Sequence, residues 1–331
     1  RSVAACLFAV SGLICWCGIS QVVSNSVSEA FQNAFSIPPL VTTLVLTALA
    51  AVIVLRKEAT VKSLDVMVPI MAGCYFVMTL WIILTHLPQL PDVFVRIFSE
   101  ALGLRQAVGG GFGAVVMNGI KRGLFSNEAG MGAVPNAAAT ADATHPAKQG
   151  LVQALGVYFD TLIVCTASAM LVLLTPGWAD SGKTGIALIQ QTLSGQLGEW
   201  TNAFMSVTVL FFAFSSIIGN YFYGEINMDF ISRHSAALWI YRAIVVMMVY
   251  LGSVASLGLV WNLADLFMAL MAIVNLVAIL LLGKFAFIAL DDYIGQKRRG
   301  IANPEFDPKV MPSTKGILCW PRHKDEEIEQ C

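Results

Sequence analysis

QAVGGGFGAVVMNGIKRGLFSNEAGMG, Gln106 to Gly132, begins as an apolar run, sets Gly109, Gly110, Gly111 and Gly113 around Phe112, and ends in charge and more glycine. A helix interior avoids such a cluster, because each glycine there costs about 1 kcal/mol relative to alanine. In hydrocarbon the cost of a break is larger still, since an unpaired backbone amide loses several kcal/mol. The stretch therefore predicts a crossing helix interrupted where protein, an ion or a solute can satisfy the freed groups. Close helix packing through small residues is the alternative, and glycines clustered without GxxxG spacing favour unwinding over it.

The remainder of the chain supports a bilayer setting. Of 331 residues 57% are apolar and 12% charged, with a formal net charge of −1 and a mean hydropathy of +0.73; a soluble domain carries about 25% charged residues. This is the composition of an all-α polytopic membrane protein. The near-neutral balance supplies no electrostatic surface for nucleic acid. Cys6, Cys15, Cys17, Cys74 and Cys165 lie in apolar segments and read as buried thiols, while Cys319 and Cys331 fall in a polar tail. No metal spacing and no nucleophile paired with a base occurs, so an enzyme is not expected.

Segments long enough to span are predicted at 3–33, 37–55, 63–87, 93–122, 148–174, 201–224, 236–257 and 259–290, about eight in all. Lys and Arg orient them: Arg56, Lys57 and Lys62 follow the second, Lys121, Arg122 and Lys148 the fourth, Arg233 the sixth, and Lys297, Arg298 and Arg299 the eighth. Even-numbered segments then end inside, placing both chain ends in the cytoplasm. GWADSGKT, Gly177 to Thr184, matches a phosphate-binding loop letter for letter, but that loop requires a strand before it, and here an apolar helix and Pro176 precede it.

Polar groups at membrane depth are the remaining signals. Gln21, Ser24, Asn25 and Ser28 form one helical stripe, readable as helix-to-helix hydrogen bonding or as part of a site. Ser215 and Ser216 lie among Phe211, Phe212 and Phe214, with Asn220 one turn on; hydroxyls usually bond their own helix, yet they are also the ligands that a hard cation needs. Asp160 is a carboxylate in an apolar helix, suited to a structural network or to ion or proton coupling.

RGLFSNEAGMG (122–132), HPAKQGLVQALG (145–156), FDTLIVCT (159–166) and FAFSSIIGNYFYGE (212–225) together resemble the signatures of the alanine or glycine:cation symporter family. The resemblance implies a LeuT-type inverted-repeat fold of the amino acid, polyamine and organocation superfamily. Residues 1–290 would form one transporter domain, with 1–92 ending the first repeat, 93–290 forming the second, and 291–331 a cytoplasmic tail. Core helices three to ten would then be present and the first helices, with their own broken helix, absent. A fragment is the expectation, and a transport-incompetent remnant its extreme form.

The same resemblance implies roles. Gly109, Gly110, Gly111, Phe112 and Gly113, with Gln21, Asn25 and Phe212, would line a substrate site; Ser215 and Ser216 would hold sodium; Asn127, Glu128, Asp160 and Asn220 would act as gate or network residues. The implied function is sodium-coupled symport of small neutral amino acids (alanine, glycine or serine) by alternating access, in a monomer of the plasma or inner membrane, with sodium as coupling ion and no cofactor. Proton coupling through Asp160 or Glu128 is the alternative.

Overall fold

The computed structural model describes residues 3–55, 57–101, 111–313 and 317. Every long element among them is a helix: α1 (Val3–Phe35), α2 (Pro39–Leu55), α3 (Lys57–Thr85), α4 (Leu90–Ala101), α5 (Gly111–Asn127), α6 (Ala133–Ala138), α7 (Pro146–Phe159), α8 (Thr166–Leu173), α9 (Gly185–Leu197), α10 (Trp200–Ile231), α11 (Ser235–Val254) and α12 (Leu257–Arg298). A π-turn over Asp160–Cys165 joins α7 to α8. Six stretches among the described residues are long and apolar enough to cross a membrane: Val3–Phe35, Val66–Thr85, Pro146–Leu173, Trp200–Ile231, Ser235–Val254 and Leu257–Arg298. The chain is thus a polytopic helical membrane protein.

Helix ends follow local chemistry. Left-handed Ser36 and the prolines at 38 and 39 stop α1, since proline lacks the amide that would continue the ladder. Pro146 starts α7, with the His145 side chain accepting a hydrogen bond from Ala147 N as an N-cap.

The centre of the molecule is α1, whose residues Cys15, Trp16, Val27 and Ala30 are fully buried and which packs against α10, α11 and α12. Its polar stripe is glue. Gln21 Nε2 donates to Met248 Sδ (3.0 Å), and Asn25 Nδ2 donates to the carbonyls of Gly252 (2.9 Å) and Ala255 (2.8 Å). The approach of α11 depends on Gly252, where an added Cβ would come within 2.5 Å of the Gln21 backbone.

The window expected to span at 93–122 holds α4, whose Arg96 lies over Trp178, and α5, with the residues between them outside the described ones. GWADSGKT forms a short turn after left-handed Gly177 and leads into α9, whose buried Gln190 donates to Ala30 O, Asn202 O and Ser206 Oγ. A helical element rather than a strand comes before that turn.

Beyond α12 the chain folds back. Phe306 N donates to Thr144 O, Thr144 Oγ1 to Pro304 O, and Gln296 Nε2 to Glu305 O. His145 is fully buried, and its Nε2 lies 3.2 Å from Asp292 Oδ2 between the rings of Tyr293 and Phe306. Because Nδ1 accepts from Ala147 N, the proton of the neutral ring sits on Nε2 and points at Asp292. This part of the tail is a fastened strap.

Candidate functional site at a broken crossing helix

Between α5 and α6 the backbone turns left-handed at Glu128 (φ 52°), Gly130 (φ 85°) and Gly132 (φ 91°). Glycine takes that region freely, whereas a residue with a Cβ pays about 1–2 kcal/mol. The break therefore lies within SNEAGMG. Gly111, Phe112 and Gly113 lie in α5; Gly109 and Gly110, the other glycines of the expected break, lie outside the described residues.

Side chains take up the freed backbone groups. Asn275 Nδ2 donates to Gly130 O (2.9 Å), and Asn136 Nδ2 donates to the carbonyls of Gly132 (3.0 Å) and Ala133 (3.2 Å). Asn127 Oδ1 accepts from Ala129 N (3.0 Å). These bonds meet the requirement that buried amides and carbonyls find partners.

The depth of the break can be read from α12, which at a rise of 1.5 Å per residue is about 63 Å long. Arg122 and Lys121 pair with Asp265, Gly130 bonds Asn275, and His145 meets Asp292. The partners advance steadily along α12, so α5 and α6 run beside it in the same direction with the break near its midpoint.

Beside the break is a cavity of about 420 Å³ lined by Ile19, Val23, Phe125, Ser126, Glu128, Ser215, Ser216, Gly219, Asn220 and Tyr223. Four sequence-predicted residues meet there: Glu128 from the break and Ser215, Ser216 and Asn220 from α10. Ser215 Oγ donates to Phe212 O (2.8 Å), which leaves its lone pairs available. Asn220 is 5% exposed and its Nδ2 has no partner, although a buried donor normally has one. The walls thus offer a carboxylate, two hydroxyls and an unused amide. Such a set can hold a cationic group at one end and a carboxylate at the other, and its oxygens suit a hard cation.

Other predicted residues lie elsewhere. Gln21 donates to Met248 Sδ while its buried Oε1 has no partner, Asn25 donates to Gly252 O, and Phe212 contributes its carbonyl to Ser215 rather than lining the cavity. Asp160 accepts from Ser126 Oγ (2.8 Å) and Asn127 Nδ2 donates to Thr161 Oγ1 (3.1 Å), tying the end of α5 to the π-turn. Sequence reading missed the contacts of the cavity-lining Phe125 and its helix: Phe125 lies 4.7 Å from Trp261, Arg122 lies 4.3 Å above the Trp261 ring, and Asp265 holds Arg122. Only the 122–125 spacing of Arg and Phe on one helical face hinted at them. No group of three His, Cys, Asp or Glu residues that could hold a metal occurs among the described residues.

Comparison with known proteins places the chain in a family. Residues 1–308 match the profile described as the sodium:alanine symporter family. The chain is 45% identical over 303 residues to the probable sodium/glutamine symporter GlnT of Bacillus subtilis (strain 168), covering 91% of this chain and 63% of that one. It is 42% identical over 311 residues to the amino-acid carrier protein AlsT of the same organism (93% and 66%). To the sodium/alanine symporter AgcS of Methanococcus maripaludis it is 34% identical over 282 residues (83% and 61%). The chain spans less than two thirds of the length of each of these relatives, and at these identities and extents it belongs to the sodium:alanine symporter family.

Proposed function

We propose that the chain acts within a sodium-coupled symporter of neutral amino acids, in a LeuT-type fold working by alternating access. The observation that carries this reading is the helix break at Glu128–Gly132 beside a cavity that also takes Ser215, Ser216 and Asn220 from α10. In transporters, substrate binds near the midplane where discontinuous helices free their backbone groups. Sodium is drawn to the hydroxyl oxygens of Ser215 and Ser216 and to Glu128, while the unpartnered Asn220 amide suits a carboxylate or another acceptor on the solute. Phe125 and Tyr223 exclude bulky side chains. One sodium crossing 100 mV contributes about 2.3 kcal/mol, enough for more than tenfold accumulation.

In this reading the α12 C-terminal end faces the cytoplasm, because Lys148, Arg233, Lys297, Arg298 and Arg299 gather there. The setting is the plasma or inner membrane, and the working unit is a monomer. Two points of substrate and coupling depend on the cavity. Its size and polar lining suit glutamine as well as alanine, glycine or serine, consistent with the different amino acids named for GlnT and AgcS. The Glu128 carboxylate also supports a second reading in which a proton replaces or joins sodium.

Uptake of labelled alanine and glutamine into proteoliposomes carrying the full-length protein tests this, with an inward sodium gradient compared against potassium or choline at fixed pH. Uptake that requires sodium is expected. Equal uptake in all three cations that follows an inward proton gradient would replace sodium by proton, and no uptake of any neutral amino acid would overturn the reading.

A further inference from the structure

A second cavity of about 560 Å³ lies on the α12 C-terminal side of the break and shares no residue with the first. Its walls include Ala4 and Phe8 of α1, Ala278 of α12, and the asparagines Asn136, Asn227 and Asn275. The polar lining of α10 continues from one cavity into the other, because Ser216, Asn220, Tyr223 and Asn227 follow i, i+4, i+7, i+11 and share one face.

Between the cavities is a dry plug. Trp16, Met131, Ala133 and Met271 are each 0% exposed and pack as one cluster, with the Trp16 and Tyr223 rings 5.8 Å apart. The plug hangs on a chain of amides. Asn275 Nδ2 donates to Gly130 O (2.9 Å), Asn227 Nδ2 donates to Asn136 Oδ1 (3.0 Å) and Tyr223 O (2.7 Å), and Asn136 in turn holds Gly132. Two of these bonds, Asn227 to Asn136 and Asn275 to Gly130, tie the break to α10 and α12 beside the plug. Trp16 Nε1 is buried within it and has no hydrogen-bond partner, an orphan donor of the kind that marks an arrangement held closed at a cost.

We propose that this plug and its asparagine clasp form the inner gate: solute leaves the first cavity for the second as the Asn227–Asn136 and Asn275–Gly130 bonds part. The second cavity is then a release vestibule in which the Asn227 and Asn275 amides meet the zwitterion in passing. This rests on the transport reading above. Asn136, Asn227 and Asn275 are positioning residues for the gate, and the Trp16 indole N–H gains a partner when water or solute enters.

The test uses full-length protein in oriented vesicles, with native cysteines replaced and Gly219→Cys introduced in the first cavity, where an added Cβ meets nothing within 4 Å. A membrane-impermeant thiol reagent is applied from the side of the α12 C-terminus. Asn227→Ala or Asn275→Ala is expected to speed modification about fivefold, the factor one hydrogen bond carries. Trp16→Phe, which removes the orphan N–H and keeps an aromatic ring, is expected to slow it. Unchanged rates in all three variants would overturn the gate, as would an Ala278→Cys that reacts with lipid-soluble reagents alone, which would make the second cavity a lipid crevice. Absence of sodium-dependent alanine binding in the unmodified full-length protein would bear on the transport reading and not on the gate.

Discussion

Single side chains in the first cavity make separable contributions. Ser216 is exposed to the cavity, whereas the Ser215 hydroxyl donates to Phe212 O, so the two are not equivalent ligands. Ser216→Ala is expected to raise the sodium concentration needed for half-maximal uptake about tenfold, the scale of one bond to a charged group, with alanine as the fixed substrate. Glu128→Gln keeps shape and removes charge. If Glu128 carries the coupling proton, the variant's uptake loses its dependence on external pH; if it serves sodium, the pH profile stays and sodium affinity falls. At this scale the sequence was partly legible. The paired hydroxyls and Asn220 were visible as polar residues in an apolar helix, but nothing in composition showed that Glu128, a residue with a Cβ, takes a left-handed conformation. Gln21 and Asn25 were visible as a stripe, but one facing a neighbouring helix and one facing a site have the same period, so the bonds from Asn25 to Gly252 and Ala255 were not legible.

Elements fix where the break falls and what holds it. Gly132 combines a φ of 91° with surroundings in which an added Cβ would meet Phe8 at 2.6 Å and Asn275 at 2.7 Å. Gly132→Ala should therefore lower stability by about 1–3 kcal/mol, read as faster thermal inactivation in detergent, with a larger loss than Gly113→Ala, whose added Cβ meets nothing within 4 Å. The α5 arm is secured to α12 by Lys121 and Arg122 on Asp265, with Arg122 stacked on Trp261. Asp265→Asn removes the charge that both cations share, and modification of Gly219→Cys from the opposite side, that of the α12 N-terminus, should accelerate. An unchanged rate would leave the Phe125–Trp261 contact as packing alone. The helices themselves were legible as apolar lengths. The pairing of Arg122 with Asp265 was not, because it joins residues far apart in the chain.

Across the whole molecule, the strap after α12 and the start of α7 form one fastening. His145 caps α7, meets Asp292 and lies between two rings. His145→Ala is expected to cost about 1–2 kcal/mol through the lost cap alone, and to expose the 300–310 strap to protease, which limited proteolysis of vesicles would detect. This fastening was not legible beforehand, since the tail reads as polar and proline-rich. Its partners Thr144, Asp292 and Gln296 become neighbours only when α7 and α12 are set side by side. The three attachments along α12 behave like marks on a ruler: Asp265, Asn275 and Asp292 each take one point of the same arm. A rod so marked is sensitive to phase as well as to length. One residue added between Asn275 and Asp292 would turn the distal mark by about 100° and shift it by about 1.5 Å, aiming Asp292 away from His145 while leaving the contacts at Asp265 and Asn275 in register. In this family, then, insertions should be tolerated in the loops that join helices far more readily than within this one helix.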